Sequence, residues 1–134
     1  MNLEEFIAVS KLPGVYKIVS NRSNGLFIED LDTGKKKFAS MRKHMFTPLG
    51  TVSIYTEEES TELSVIFKTM LDNLPGMDPK EALKSNDTMF AYFEQILPNY
   101  DRDRVFVGDI KKVLKWFVFL YERNLLVESS EEEE

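Results

Sequence analysis

The chain has 134 residues and a net charge of −6 at pH 7, and its hydrophobic and charged fractions, 43% and 30%, are ordinary for a globular protein. It contains no cysteine, which excludes disulfides, thiolate zinc sites and cysteine nucleophiles. Residues 1–56 carry eight Lys or Arg against five Asp or Glu, whereas residues 57–134 carry nine against eighteen. The N-terminal part is therefore moderately basic and tolerates an anionic partner.

The first 58 residues predict a small β domain with a short leading helix. Asn2 and Glu5 have the spacing of a capping box, and Leu3, Phe6 and Ile7 share one helical face. Alternating patterns and tight turns then predict strands over residues 15–20, 26–31, 35–40 and 52–56. Short strands joined in this way favour a bent SH3-like sheet or a partly open barrel.

After Thr56 the hydrophobic period becomes helical. One continuous helical face is formed by Leu63, Ile66, Phe67, Met70, Leu71 and Leu74. Two further helices are predicted, one ending before Pro98 and one running from Gly108 to Arg123 with Phe117 and Tyr121 in its core stripe. We therefore predict an α+β protein with a β domain over residues 1–58, a helical domain of three main helices over 59–127 and a disordered acidic tail over 128–134.

The sequence carries no motif of a cofactor or metal site. No two glycines are close enough for a dinucleotide-binding fingerprint, and His44 is the single histidine. Asn99, Asp101 and Asp103 match the first ligand positions of a calcium-binding loop, but Arg104 stands where that loop needs its turn glycine. We predict no cofactor, no metal ion and no catalytic residue.

Two charged pairs lie between a proline and the last predicted helix. They are Asp101, Arg102, Asp103 and Arg104, in the segment LPNYDRDRVF. Charged side chains at helix joints mostly cap helix ends and pair with one another, so we interpret the four as a structural joint. The alternative is a ligand site, or a weak case for an enzyme that works through the carboxylates of Asp101 and Asp103.

A basic segment, KKKFASMRKH, occupies residues 35–44 and surrounds an aromatic ring with cations. Its members are Lys35, Lys36, Lys37, Phe38, Arg42, Lys43 and His44. Cations hold phosphates and rings stack on bases, so the pattern is compatible with binding of an anion or a nucleic acid. The interpretation that we favour at this point is a solvated strand whose Phe38 points into the core, because the whole chain is acidic.

The last helix has more aromatic residues than its core stripe needs. Trp116 and Phe119 project from an adjacent face, flanked by Lys112 and Arg123. Either the β domain covers this face, which we favour for so small a protein, or it is exposed and binds a protein partner.

The segments LPGVYKIVSNRSNGLFIEDL, VSIYT and AYFEQILPNYDRDRVFVGDIKKVLKW resemble a family of small uncharacterised bacterial proteins. In that family an N-terminal domain of unknown function precedes a C-terminal domain of unknown function. The resemblance covers most of residues 1–126 and implies no activity, cofactor or catalytic residue.

We therefore expect a non-enzymatic binding or adaptor protein with an unknown protein partner. A nucleic-acid-binding accessory protein that uses the basic segment is the alternative. Glu4 and Glu5 stand where a secretory signal would carry positive charge, and no apolar run is long enough to span a bilayer. We expect a cytoplasmic location without membrane attachment.

Overall fold

The computed structural model describes residues 3–74 and 76–126. It divides the chain into two compact units, one that ends at Val52 and one that begins at Ser53. The sequence pattern predicts this boundary near residue 58, and the difference arises because the strand that contains Tyr55 belongs to the helical unit. The predicted acidic tail, residues 128–134, lies outside the described residues.

The N-terminal unit is an open antiparallel sheet. Its strands in the described part of the chain are β1 (Phe6–Val9), β2 (Tyr16–Arg22), β3 (Gly25–Asp30), β4 (Lys36–Ser40) and β5 (Phe46–Pro48). The strand order is β4-β3-β2-β1-β5, so β4 and β5 form the edges. Together with the helices that follow, this open sheet confirms the predicted α+β class.

The predicted leading helix is wrong, because Phe6 to Val9 form strand β1. Ile7 lies opposite Tyr16 of β2, and Val9 lies opposite Phe46 of β5. β1 thus lies between β2 and β5 in the sheet, and its backbone groups are paired on both sides. Phe, Ile and Val favour strands, so pairing and propensity together outweigh a short capping-box pattern.

One side of the sheet is buried. Its core consists of Ile7, Val9, Tyr16, Ile28 and Ala39, with Leu12, Ile18, Leu26 and Phe46 packed against it. Residues directly opposite each other in an antiparallel pair point to the same side, so the register assigns every strand residue to this side or to the other.

A β-bulge in β2 changes which residues point outward. Ile18 lies opposite Ile28, but the next pair is Ser20 with Phe27, so Val19 is the extra residue. A bulge reverses the alternation of side chains beyond it. Consequently Arg22, at the end of β2, points to the side opposite the core instead of the core side.

The second unit begins with a hairpin and continues as helices. Its described elements are β6 (Ser53–Tyr55), β7 (Ser60–Glu62), α1 (Leu63–Asp72), α2 (Pro79–Ala82), α3 (Asn86–Ile96) and α4 (Val107–Glu122). The strand predicted over residues 52–56 is present as β6, but it pairs with β7 and not with the N-terminal sheet. The three longer helices confirm the three main helices predicted for this part of the chain.

Phenylalanines hold the core of this helical unit. Phe67 of α1 and Phe117 of α4 are fully buried, with ring centroids 5.5 Å apart. The rings of Phe93, in α3, and Tyr100 are in an edge-on arrangement, with their centroids 5.2 Å apart. Tyr121, which the pattern places in the core stripe, is 46% exposed and stacks on Phe117 from outside.

None of the helices in residues 3–74 and 76–126 combines the length and apolar character that a membrane span requires.

Candidate functional site

The outer face of the N-terminal sheet is the side opposite its core, and its exposed part carries Arg22, Phe27, Lys36 and Phe38. Phe38 lies directly opposite Phe27, and the ring centroids are 5.3 Å apart in an edge-on arrangement. The guanidinium carbon of Arg22 lies 5.2 Å from the centroid of the Phe27 ring. The expectation that Phe38 points into the core is therefore wrong, because 40% of Phe38 is exposed on this outer face.

Gly25 provides the space in which the Phe38 ring lies. A Cβ atom at Gly25 would come within 2.7 Å of the Phe38 ring and would also collide with the backbone of Ala39. The tip of the Phe38 ring thus lies over Gly25. A ring above a strand glycine also stabilises the sheet, so the Phe27–Phe38 pair has a structural role whatever else it does.

Among the described strand residues, three cations and one carboxylate complete the outer face. Lys36 lies opposite Glu29, and Glu29 lies opposite Lys17, so the three point to the same side as Phe27 and Phe38. Lys36 and Phe38 are two residues apart on one strand, which separates their Cα atoms by about 7 Å. Arg22, Lys17 and Lys36 against Glu29 leave this face with a positive balance.

The remaining residues of the basic segment are distributed over other surfaces. Lys37 lies opposite Ile28 on the core side, and its Nζ reaches 5.1 Å from the centroid of the Tyr16 ring. Lys35 precedes β4, and Arg42 and Lys43 are exposed in the turn that follows it. Of the basic segment, only Lys36 and Phe38 therefore lie on the outer face.

His44 has a local structural contact. Its Nδ1 lies 2.7 Å from the backbone oxygen of Ser10, and the Ser10 hydroxyl accepts a hydrogen bond from the backbone N–H of Met45. These contacts join the segment before β5 to the end of β1. The ring is half-buried there and lies outside the strands of the sheet.

Residues 101–104 lie in the helical unit between α3 and α4 and are tied to β6. The backbone N–H of Asp101 donates to the Tyr55 oxygen at 2.9 Å, and that of Glu57 donates to the Asn99 oxygen, also at 2.9 Å. Tyr100 forms an isolated antiparallel bridge with Thr56. The connection between the two helices therefore runs beside the hairpin and is fixed to it by main-chain hydrogen bonds.

The Asp101 carboxylate holds this loop in shape. Its Oδ2 accepts from the Arg104 Nε at 2.7 Å, and its Oδ1 accepts from the Asp103 backbone N–H at 2.9 Å. The hydrogen bond from Arg104, followed by the one from the Asp103 backbone, lowers the pKa of Asp101 below its usual value. Both oxygens of this carboxylate already have partners inside the loop.

The two arginines of the loop lie on tyrosine rings. The Arg102 guanidinium lies 4.1 Å from the Tyr100 ring centroid and donates to the Tyr100 and Pro98 carbonyl oxygens at 2.6 and 3.0 Å. Arg104 lies 4.3 Å from the centroid of Tyr55. This geometry is what the predicted structural joint requires, and the role of the loop as a joint stays a prediction.

Among the described residues, no group of three or more carboxylate or imidazole side chains is arranged to hold a metal ion.

Trp116 and Phe119 are both partly buried on α4. The Arg123 guanidinium lies over the Phe119 ring, 3.6 Å from its centroid, and donates to the Phe119 carbonyl oxygen at 2.9 Å. The pair is thus intermediate between the two expectations of full burial and open exposure.

Sequence reasoning identifies Lys36 and Phe38 but misses Arg22 and Phe27. Phe27 is found only once the β3–β4 loop is known to be residues 31–34: the Asp30 backbone N–H donates to the Lys35 oxygen, and counting outward from that pair places Phe27 opposite Phe38. Arg22 has no comparable signal, since its direction depends on the bulge at Val19, which strict alternation does not predict.

Two family models match the chain. The model described as a domain of unknown function (DUF5606) matches residues 3–49, and the one described as a domain of unknown function (DUF6852) matches residues 52–120. The limits of these matches agree to within one residue with the division of the structure between Val52 and Ser53. No curated protein matches the sequence.

A solved relative has the same organisation. The solution NMR structure of a protein from Bacteroides vulgatus, a Northeast Structural Genomics Consortium target, is 32% identical, with a TM-score of 0.75 over 95% of this chain and 90% of that chain. The fold and the matches thus define a two-domain α+β protein with an N-terminal sheet and a C-terminal helical part. The chain belongs to the DUF6852 family, with an N-terminal DUF5606 domain, which confirms the resemblance noted from the sequence.

Proposed function

We propose that this is a cytoplasmic, non-enzymatic protein that binds nucleic acid through the outer face of its N-terminal sheet. The observation that carries the proposal is the exposed Phe38 ring beside Phe27, with Arg22 and Lys36 on the same side of the sheet. Cations attract phosphates, and an exposed ring on the face of a sheet offers a surface on which bases stack.

The protein-partner alternative, an adaptor surface centred on Trp116 and Phe119, is the second choice. Its main support is the aromatic density of α4. Arg123 already covers one face of the Phe119 ring at 3.6 Å, so less of that ring is open to a partner. The carboxylate-enzyme alternative is weaker, since both Asp101 oxygens are engaged within their own loop.

Binding of fluorescently labelled polynucleotides, measured by anisotropy between 50 and 200 mM salt, tests the proposal. Three cations on the outer face predict a slope of about −2 in a plot of log affinity against log salt for a single strand. Lys36→Ala should weaken binding and reduce the magnitude of the slope by about 0.7.

The matched control is Lys115→Ala, which removes the same charge from an exposed lysine of α4. This variant should bind like the wild type. Absence of binding to any polynucleotide would refute the proposal, and so would an equal loss in Lys36→Ala and Lys115→Ala.

A further inference from the structure

The outer face has few cations and one exposed ring, and this balance bears on the kind of nucleic acid that it fits. Lys17, Arg22 and Lys36 are partly offset by Glu29, which lies opposite both lysines. A site of this size holds few phosphates, and affinity for a duplex comes mainly from phosphate contacts. A tight complex therefore requires a second contribution.

The Phe38 ring can supply that contribution. It is 40% exposed, and its position is fixed from two directions, by the edge of the Phe27 ring at 5.3 Å and by the close approach of Gly25 beneath it. A ring that is already held in place loses little conformational entropy when a base stacks on it. Only an unpaired base can stack there, because the bases of a duplex are stacked on one another inside the helix.

Arg22 is suited to hold the neighbouring phosphate. Its guanidinium lies over the Phe27 ring and, among the residues that the structure describes, donates one hydrogen bond, to the Asn21 carbonyl oxygen at 3.1 Å. An arginine has five N–H donors, so several of them are available to an incoming phosphate while the stacking on Phe27 is kept.

We infer that the ligand of the outer face is a single-stranded nucleic acid, with one base stacked on Phe38 and its phosphates held by Arg22 and Lys36. This inference rests on the proposed function and names the substrate class for the same site. It makes Phe38 a binding residue and not only a cover for Gly25.

The test compares three labelled polymers: a single strand of about 20 nucleotides, longer than the roughly 4–16 that an OB-fold domain covers, its duplex, and heparin, an anion without bases. The single strand should bind most tightly. Phe38→Leu keeps an apolar cover on Gly25 but removes the ring, and should weaken single-strand binding roughly 5- to 150-fold. Phe38→Tyr keeps the ring and should bind the single strand like the wild type.

Two controls separate stacking from stability and charge. Phe106→Leu changes another exposed phenylalanine, 64% accessible at the start of α4, and should leave binding unchanged. Glu29→Gln removes the carboxylate of the outer face and should tighten binding of all three polymers, because any anion benefits from the charge change.

A spectroscopic readout reports on stacking directly. Trp116 is the only tryptophan, so Phe38→Trp in a Trp116→Phe background places the sole indole on the outer face. Its fluorescence should be quenched by the single strand and not by heparin. Equal affinity for single strand, duplex and heparin, with Phe38→Leu unaffected, would overturn the inference while the proposed function stands. Absence of binding to every polynucleotide would overturn both.

Discussion

Tyr92 is a buried phenol in α3 whose hydroxyl has no hydrogen-bond partner among the described residues. Burial, with a smaller effect from the Asp78 charge, raises the pKa of Tyr92 to about 12 from an ordinary value of 10.0. A buried hydroxyl without a partner is destabilising because it has lost its bonds to water.

Tyr92→Phe should therefore raise the free energy of unfolding by about 1 kcal/mol at neutral pH, measured by urea denaturation. Tyr121→Phe is the control, because that residue is 46% exposed. Tyr92→Phe keeps the ring and its packing, so this substitution tests only the hydroxyl. Equal unfolding midpoints for Tyr92→Phe and the wild type would show that the hydroxyl is satisfied in solution.

The same substitution has a defined pH dependence. With the pKa of Tyr92 raised to about 12, the unfolded chain loses this proton near pH 10 while the folded chain still holds it. Wild-type stability should consequently fall between pH 10 and about 12, and the advantage of Tyr92→Phe should grow over that interval. An advantage that stays constant from pH 8 to 11 would contradict the raised pKa.

At the scale of elements, the loop at residues 101–104 is the point where α3, α4 and β6 meet. Asp101→Asn removes the charge from the carboxylate that accepts from Arg104 and from the Asp103 backbone. We expect a lower thermal midpoint at pH 7. Asp103→Asn makes the same charge change two residues away and should have a smaller effect.

The stabilisation by Asp101 should also depend on pH. Because the pKa of Asp101 is lowered in the folded protein, its contribution is complete above the ordinary carboxyl value of 3.8 and is lost as the pH falls through the lower folded value. The difference between wild type and Asp101→Asn should therefore shrink on acidification. A difference that is unchanged in acid would mean that shape, and not charge, explains the effect.

The elements that the sequence predicts well are those specified by local pattern. β2, β3 and β4 alternate and are joined by turn residues, and the long helices carry a clear helical period. β1 and β5 are different, because they pair with each other across a long stretch of sequence, through pairs such as Ile7 with Pro48. No window of sequence contains that pairing, so the pattern around Asn2 and Glu5 is read as a helix.

The candidate site divides in the same way. Lys36 and Phe38 are neighbours on one strand, and composition alone makes them candidates. Their association with Phe27 requires the hairpin register, and that with Arg22 requires the bulge at Val19. Which side of the sheet a residue occupies is set by such single-residue irregularities, which hydrophobic periodicity does not resolve.

At the scale of the whole molecule, the charge distribution limits how nucleic acid could bind. The chain carries −6 overall, and most of its acidic residues follow residue 56. A protein of this charge gains little from long-range attraction to phosphates, so binding depends on the local arrangement of the outer face. Stacking on Phe38 is consistent with that balance, because stacking does not depend on net charge.

The division between the two units makes a further prediction about fragments. A fragment of residues 53–126 keeps the β6–β7 hairpin with its hydrogen bonds from Glu57 to Asn99 and from Asp101 to Tyr55, and keeps the buried Ile54. A fragment of residues 59–126 begins at the boundary that the sequence pattern favours and lacks all of these. The shorter fragment should be less stable by about 3 kcal/mol, as expected for two hydrogen bonds and one buried side chain.

Urea denaturation followed by far-UV circular dichroism checks this, because the helices are common to both fragments. Tyr55→Ala in the longer fragment removes the ring under Arg104 but keeps the backbone bond to Asp101, and should have an intermediate effect. Equal stability of the two fragments would place the boundary of the helical folding unit near residue 58, where the sequence pattern predicts it. In that case the bonds between the hairpin and residues 99–101 would be incidental to the helical unit.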